Sequence, residues 1–220
     1  MNSSDKRTRR GFAKACALIA GAPFVSRLSW ADGSPMQKLQ YAGIGLGGRG
    51  MFDVQSISKH EKVKMIAGAD VDSATAKKLE VRMEGVKTFS DWREMFEIMG
   101  KDIDVVSVST PDHMHGIMAM SAMNLGKHVY VQKPLAQTIG ECRTMQATAR
   151  RNKVIVQMGT QGASSFYDRM AVDLVQRKLI GKITEAWVFC GKSWGDKNPL
   201  PDREDPIPDG LDWDGWLGVG

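Results

Sequence analysis

A glycine-rich turn between residues 43 and 50 carries residue types that can bind phosphate through the backbone. Gly43, Gly45 and Gly48 form a G-x-G-x-x-G pattern between a short apolar segment and a segment with helical spacing. In this context the first glycine permits a tight turn, the second lets backbone approach a pyrophosphate, and we expect the third, Gly48, to let the helix pack closely on the strand. The helix start offers N–H groups and the positive end of its dipole to phosphate. The predicted cofactor-binding residues of the turn are Gly43, Gly45, Leu46, Gly47, Gly48 and Arg49.

An acidic residue at the end of the next apolar segment supplies the second half of this pattern. Asp70 lies 22 residues after Gly48, and a carboxylate at about 20 residues from the turn accepts hydrogen bonds from a ribose 2′-hydroxyl. The residues therefore predict a dinucleotide site that prefers NAD over NADP, since a 2′-phosphate would meet a like charge. A glycine-rich hairpin followed by an unrelated surface acid is the alternative.

Two further polar segments follow predicted strands. The first contains Ser109, Thr110, Pro111 and His115, and the second contains Gln132 and Lys133. Ligands of open α/β sheets bind beyond the carboxyl ends of the strands, so we expect both segments to border the cofactor. His113 and His115 form an H-x-H pair, but no third ligand has suitable spacing, and we predict no metal. Three cysteines without a C-x-x-C pattern do not indicate a zinc ribbon or a thioredoxin-type site.

Alternating strand and helix patterns must position these residues. Apolar strand patterns occur at 38–42, 63–70, 103–109, 128–132 and 154–158, separated by helical patterns at 51–57, 73–83, 92–99, 114–125 and 138–151. Repeated βα units of this length predict an α/β fold, a Rossmann-type doubly wound parallel sheet. After residue 159 the spacing predicts a helix over 166–179, with Met170, Val172, Leu174 and Val175 available for burial, and a strand of a different sheet over 183–190.

The positive charge of the chain is confined to its beginning. The 220 residues carry a formal charge of +5, but the first 31 hold six basic residues and one acidic residue, so the remainder has 24 of each sign. The body gives no electrostatic reason to expect nucleic acid or an anionic membrane as a partner.

The first 31 residues have the pattern of an export signal. Residues 8–14 read TRRGFAK, similar to the twin-arginine consensus, and an apolar stretch at 15–25 is too short to span a bilayer. Small residues at Ser29 and Ala31 favour cleavage after Ala31. We therefore expect a periplasmic protein without a stable membrane span, with an uncleaved anchor or a plain basic tail as alternatives.

These motifs together resemble the Gfo/Idh/MocA family, which includes glucose–fructose oxidoreductase and inositol dehydrogenases. The matching residues are the glycine turn, Asp70, the TPDHMH segment at 110–115 and the VQKPL segment at 131–135. The segment 212–218, DWDGWLG, is similar to exported sugar-type members. The family usually has Glu-Lys-Pro where this chain has Gln132-Lys133-Pro134.

The resemblance implies an NAD(P)-dependent enzyme that transfers a hydride between a sugar or polyol carbon and a nicotinamide. In that chemistry Lys133 orients the reacting hydroxyl and helps its proton leave, while His115 lines the nicotinamide side of the pocket. The replacement of Glu by Gln132 removes a carboxylate that could pair with Lys133. A surface lysine before a turn is the alternative for Lys133. There are two alternative functions. One is an NAD-dependent glycoside-cleaving enzyme of the same family, and the other is a truncated cofactor-binding protein without activity.

The resemblance also implies a domain organisation. Residues 1–31 are expected to be the signal peptide, 38–158 the dinucleotide-binding domain, and 159–220 the incomplete start of a substrate-binding α+β domain. The family takes a second catalytic pair, in a D-x-x-x-H pattern, from that second domain, and no histidine follows His128 in this chain. The sequence therefore predicts a C-terminally truncated chain, and a homo-oligomer for the full-length protein.

Overall fold

A parallel sheet of six strands forms the centre of the computed structural model, which describes residues 38–191, 198–199 and 202–219. The strands are β1 (Leu39–Ile44), β2 (Val63–Ala69), β3 (Lys87–Phe89), β4 (Val105–Val108), β5 (His128–Gln132) and β6 (Val156–Gly159). Their order is β3-β2-β1-β4-β5-β6, and every neighbouring pair is parallel. This arrangement confirms the predicted doubly wound α/β fold. The predicted signal peptide at 1–31 lies outside the described residues.

Helices follow most of the strands and begin where the sequence supplies a cap. They are α1 (Gly48–Ser58), α2 (Ser73–Arg82), α3 (Trp92–Met99), α4 (His115–Asn124), α5 (Ile139–Asn152), α6 (Phe166–Gln176) and α7 (Trp213–Leu217). Asp72 and Asp91 cap α2 and α3 by accepting from backbone N–H groups of the first turn. Thr138 and Glu141 form the predicted capping box of α5. Each such cap satisfies N–H groups that have no partner within the helix.

Two apolar clusters pack against the sheet, and adjacent residues of β1 belong to different clusters. Ala42 lies in the larger cluster and Tyr41 in the smaller one. Successive side chains of a strand point to opposite faces, so the sheet is covered on both sides. The Tyr41 hydroxyl lies 2.5 Å from the Ser107 hydroxyl, and burial raises the pKa of Tyr41 far above its ordinary value. That phenol therefore stays neutral inside the sheet.

The shortest strand, β3, was missed by the sequence analysis. It contains only Lys87, Thr88 and Phe89, which pair with the end of β2. Three residues are too few to show an alternating pattern, and none of them is buried. The available signal was a β-branched and an aromatic residue between Gly85 and Ser90. Its pairing with β2 rather than its own composition makes this segment a strand.

The predicted strand at 183–190 is wrong, because the structure assigns no strand to those residues. Trp187, Val188 and Phe189 are 73%, 91% and 86% exposed, and no strand among the described residues lies beside them. An extended segment needs a partner for its backbone hydrogen bonds, which its own sequence cannot provide.

The helix predicted over 166–179 is present as the shorter α6, which ends at Gln176, but its apolar residues are not buried. Met170, Val172, Leu174 and Val175 are all more than a third exposed. Helical spacing indicates an apolar stripe, but burial of that stripe requires a second surface, and the described residues provide none.

Candidate functional site

A cleft of about 470 Å³ opens at the carboxyl ends of β1 and β4, where the strand order reverses. This is the position at which doubly wound sheets bind their ligands. Six of the residues predicted to bind a cofactor line it: Gly45, Gly47, Asp70, Ser109, Thr110 and Pro111. The volume lies within the range of small-molecule sites, which is about 300–1,000 Å³. The sequence prediction and the fold therefore converge on one cleft.

The glycine turn joins β1 to α1, and at two glycines a Cβ would collide with the backbone of another residue. Gly45 has a φ of +81°, and a Cβ there would lie 2.6 Å from the Ser109 carbonyl oxygen. A Cβ at Gly50 would lie only 2.0 Å from the Gly45 carbonyl oxygen. Neither position has space for a side chain, so both must be glycine.

The role expected for Gly48 therefore belongs to Gly50. Gly48 has a φ of +46°, which favours glycine, but a Cβ there would meet nothing within 4 Å. Gly48 is the first residue of α1 and faces open space, whereas Gly50 lies where the helix passes over the turn. The residue spacing did not distinguish the two glycines, because Gly45, Gly47 and Gly50 form a second G-x-G-x-x-G pattern that overlaps the first.

Asp70 connects the second strand to the glycine turn. Its Oδ2 accepts a hydrogen bond from the Leu46 N–H at 2.6 Å, and its Oδ1 accepts one from the Asp72 N–H at 2.9 Å. An ionised carboxylate has about four acceptor positions, so two bonds leave capacity for a ribose hydroxyl. A hydrogen bond from the Thr75 hydroxyl lowers the pKa of Asp72, so a second negative charge lies at this end of the cleft.

The remaining residues of the turn lie outside the cleft lining. Gly43 is inside β1, where a Cβ would lie 2.9 Å from Val54 Cγ2. Leu46 is fully buried in the smaller apolar cluster, and its contribution to a site is its backbone N–H. Arg49 is exposed, with its guanidinium 4.9 Å from the centre of the Phe52 ring.

His115 does not line the cleft as predicted. It is 1% exposed, and its Nδ1 and Nε2 lie 2.6 Å and 2.9 Å from the carbonyl oxygens of Pro134 and Thr110. The ring therefore joins the loop after β4 to the turn after β5. His115 is the first residue of α4, and its ring lies between the loop after β4 and the turn after β5. The residue spacing in the sequence does not contain that information.

Lys133 is exposed directly after β5, and the Lys133–Pro134 peptide bond is cis. Gln132, in contrast, is 5% exposed. Among the described residues, none of the ion pairs involves Lys133. The lysine lies at the carboxyl end of β5, the strand next to β4, but neither it nor Gln132 is among the residues that line the cleft. Hydrogen bonds hold the residues on either side of it, Gln132 and Pro134.

Asp53 is a site residue that the sequence analysis missed. It is 3% exposed in the middle of α1, and its Oδ2 accepts hydrogen bonds from Ser109 Oγ at 2.9 Å and Gln132 Nε2 at 2.6 Å. In the sequence it has the appearance of a polar residue on the outer face of a helix. Its three-residue distance from Gly50 was the available signal, because residues three apart share a helix face.

The segment from 210 to 218 forms another part of the cleft wall that was missed. Leu211, Gly215 and Trp216 line the cleft. The segment is attached by hydrogen bonds from the Asp212 N–H to the Val71 carbonyl and from the Ser73 N–H to the Gly210 carbonyl. Part of the cleft wall therefore comes from residues more than 160 positions after the glycine turn in the sequence.

The H-x-H pair does not assemble a metal site. His113 Nε2 lies 2.9 Å from the Trp216 carbonyl oxygen, while His115 is buried between two other carbonyls. In the described part of the chain, no group of three or more His, Cys, Asp or Glu side chains could hold a metal ion. The same residues include no helix that is long and apolar enough to cross a membrane.

Comparison with known families identifies the sheet domain. Residues 39–160 match the profile of the Gfo/Idh/MocA oxidoreductase family, described by its NAD-binding Rossmann fold. A 1-carboxy-3-chloro-3,4-dihydroxycyclohexa-1,5-diene dehydrogenase from Comamonas testosteroni is 30% identical over 49% of this chain and 27% of its own length. An α-N-acetylgalactosaminidase from Shewanella oneidensis is 29% identical over 67% of this chain and 34% of its own.

Solved structures with the same fold include inositol dehydrogenases. The scyllo-inositol dehydrogenase from Lactobacillus casei, with bound NAD(H) and scyllo-inositol, is 27% identical with a TM-score of 0.62 over 67% of this chain and 44% of its own. The myo-inositol 2-dehydrogenase from Lactobacillus plantarum has the same identity and TM-score over 67% and 43%. The chain spans less than half the length of each protein named here.

The contact between α1 and the glycine turn leads to a prediction about stability. Gly50→Ala should lower the Tm by about 5 °C or more, because overpacking costs about 1–3 kcal/mol or more and each kcal/mol is worth about 2–4 °C in a protein of this size. Gly47→Ala is the matched control. Its extended backbone and a nearest contact of 3.7 Å accommodate a methyl group. Thermal unfolding followed by circular dichroism measures both, and equal Tm values would contradict the assignment of Gly50.

Proposed function

The chain belongs to the Gfo/Idh/MocA oxidoreductase family, which has an NAD-binding Rossmann fold, and from that membership we propose its site and reaction. The cleft between the glycine turn, Asp70 and Thr110 holds NAD. The reaction is hydride transfer between a sugar or polyol hydroxyl carbon and the cofactor. The observation that carries this proposal is the convergence of Gly45, Asp70 and Thr110 on the β1–β4 cleft, at the edge of the sheet where Lys133 emerges.

The residues present fit a dinucleotide. The turn at 45–48 exposes backbone rather than side chains, and the N-cap residue Gly47 has no side-chain capping bond, so the start of α1 is open to phosphate. Asp70 is held at the end of β2 with acceptor capacity left for ribose. The apolar wall of Trp92, Met118 and Trp216 suits the faces of flat rings.

The chemistry that NAD supplies when bound is the acceptance or donation of a hydride at its nicotinamide ring. The chain's own contribution is a proton acceptor at the reacting hydroxyl, and we assign that role to Lys133. An amine at this position orients the hydroxyl through a hydrogen bond and takes its proton as the carbon is oxidised. The inositol dehydrogenase relatives support a polyol or sugar as the substrate class.

Glycoside cleavage is the second candidate, and the relatives provide the observation that favours it. The α-N-acetylgalactosaminidase from Shewanella oneidensis is aligned with two thirds of this chain at 29% identity. Both reactions would use Lys133 in the same position, so the site geometry does not separate them. Incubation with NAD and a nitrophenyl glycoside separates them, because net oxidation increases the NADH absorbance whereas cleavage releases nitrophenol without it.

We also propose that residues 1–31 direct export to the periplasm by the twin-arginine route. The support is the paired Arg9 and Arg10, followed by a short apolar stretch and small residues before a cleavage site at Ala31. This route carries folded proteins, so a cofactor bound in the cytoplasm would travel with the protein.

Cofactor choice gives the first prediction from this proposal. Asp70 and Asp72 should make NAD bind at least about tenfold more tightly than NADP, since a like-charge contact in a partly buried site costs several kcal/mol. Asp70→Asn should reduce that ratio while the amide oxygen still accepts from the Leu46 N–H. Asp102→Asn, at an exposed position in the loop between α3 and β4, should leave the ratio unchanged. Calorimetric titration measures the affinities, and wild-type binding of NADP equal to that of NAD would refute the role of Asp70.

The second prediction concerns Lys133. In a complete enzyme, Lys133→Ala should reduce turnover of a sugar or polyol by about 10²–10⁴-fold, the range for an acid–base group, with little change in NAD affinity. Lys101→Ala is the control, because Lys101 is exposed in the loop that precedes β4, on the other edge of the sheet. NADH formation with a panel of inositols and sugars measures turnover. Equal turnover of the Lys133 variant and wild type would remove this residue from the mechanism.

The third prediction concerns export. Replacement of both Arg9 and Arg10 by Lys keeps the charge but should leave uncleaved precursor in the cytoplasm, because the signal is read by a receptor. Cell fractionation followed by immunoblotting measures the distribution. A control pair, Lys6 and Arg7 replaced by Arg and Lys, should be exported normally. Periplasmic accumulation of the Arg9/Arg10 variant at the wild-type level would exclude the twin-arginine route.

A further inference from the structure

A buried carboxylate in helix α1, that of Asp53, contacts side chains at or just after the carboxyl ends of three neighbouring strands. Asp53 accepts hydrogen bonds from Ser109, which follows β4, and from Gln132, which ends β5. A longer contact of 3.4 Å joins its Oδ1 to Nε2 of Gln161, which follows β6. A buried charge is costly unless it is hydrogen-bonded, and here donors from three separate segments satisfy it.

The hydrogen-bond network around Asp53 continues to Tyr130, and a glycine at position 159 leaves space for it. Gln161 Nε2 also donates to the Tyr130 hydroxyl at 2.9 Å. Gly159 lies beside both partners, since a Cβ there would be 2.7 Å from the Tyr130 hydroxyl oxygen and 3.0 Å from Gln132 Nε2. Any larger residue at 159 would displace these groups. The backbone of β6 can therefore lie this close to the network around Asp53 only because residue 159 is glycine.

The network also explains why residue 132 carries an amide. Gln132 Nε2 donates to Asp53 Oδ2 at 2.6 Å. A glutamate at 132 would place a second carboxylate oxygen at that distance, and two carboxylates in one buried site cannot both ionise. With Asp53 present, the residue before Lys133 must be a donor. The negative charge of the site is therefore carried by α1 rather than by β5.

The turn that carries Lys133 is consequently held from both sides. The side chain of the preceding residue, Gln132, is bound by Asp53, and the carbonyl of the following residue, Pro134, is bound by His115 Nδ1 at 2.6 Å. An exposed side chain on a loosely held turn would occupy many positions, whereas catalysis requires placement within about 0.5 Å.

We propose that Asp53 is the positioning residue of this site, and that it acts through the Gln132 amide and the Ser109 hydroxyl to fix the Lys133 turn and the loop after β4. This inference rests on the proposed function for the roles of Lys133 and the cofactor. It adds to that function a specific pairing of two side chains, a carboxylate at position 53 and an amide at position 132.

A reciprocal exchange of the two side chains tests the pairing. Gln132→Glu should lower the Tm at neutral pH by about 3–10 °C, because it places a second carboxylate against Asp53 in a buried site. It should also weaken NAD binding at least about threefold. The double variant Asp53→Asn/Gln132→Glu restores one carboxylate and one amide, and should recover most of both losses. Asp53→Asn alone should have a small effect, because its amide oxygen can still accept from Ser109 and Gln132.

The pH profile separates positioning from general destabilisation. In Gln132→Glu the two carboxylates can share one proton, so the deficits in Tm and NAD affinity relative to wild type should shrink as the pH falls from about 8 to about 5. The double variant should follow the wild-type profile. Gln146→Glu, the same change at an exposed position on α5, should follow it as well.

The outcomes distinguish this inference from the proposed function. A Gln132→Glu variant with wild-type Tm and NAD affinity, or a double variant no better than Gln132→Glu, would overturn the pairing. Recovery of Tm without recovery of NAD affinity would overturn the positioning role. If the wild-type protein binds no NAD, the proposed function fails, and the pH dependence of Tm in the four variants still decides whether Asp53 and Gln132 are paired.

Discussion

The contact between helix α1 and the turn that precedes it governs the rest of the site. At Gly50 the helix passes so close to the Gly45 carbonyl that no Cβ fits, and at Gly45 the turn lies against the Ser109 backbone. These approaches set the distance between α1 and the ends of β1 and β4. Because interiors are close-packed, a displacement of α1 would move every group that the helix supports.

Asp53 depends on that placement. It lies one helical turn after Gly50, and only a helix held this close can bring its carboxylate to 2.6 Å from Gln132 and 2.9 Å from Ser109. Gly50, where the helix meets the turn, and Asp53, which binds Ser109 and Gln132, thus belong to one helix. Under the proposed function, this helix contributes to both the phosphate end and the catalytic end of the site.

The ionisable side chains of the site also lie at its two ends, beyond β2 and beyond β5. Asp70 and Asp72 make the end of β2 negative, which suits a ribose with free hydroxyls and opposes an added phosphate. Lys133 places an amine at the end of β5, and it forms no ion pair among the described residues. Between them the lining is largely apolar, and low polarity strengthens the interactions of the charges that border it. This distribution suits a ligand with a ribose at one end and a proton-transfer centre at the other.

The sequence alone determined the local elements and their chemistry. The glycine turn, Asp70, the capping box at Thr138 and the alternation of strands and helices follow from short-range rules, so the doubly wound sheet and the β1–β4 cleft were predictable. The tertiary structure decided which residues meet across long distances. It made Gly50 rather than Gly48 the close-contact glycine, buried His115 between two carbonyls, left 183–190 without a strand, and joined Asp53 to Gln132. The physical reason is that hydrogen-bond partners and burial depend on which surfaces pack together, and residue spacing along one chain segment does not contain that information.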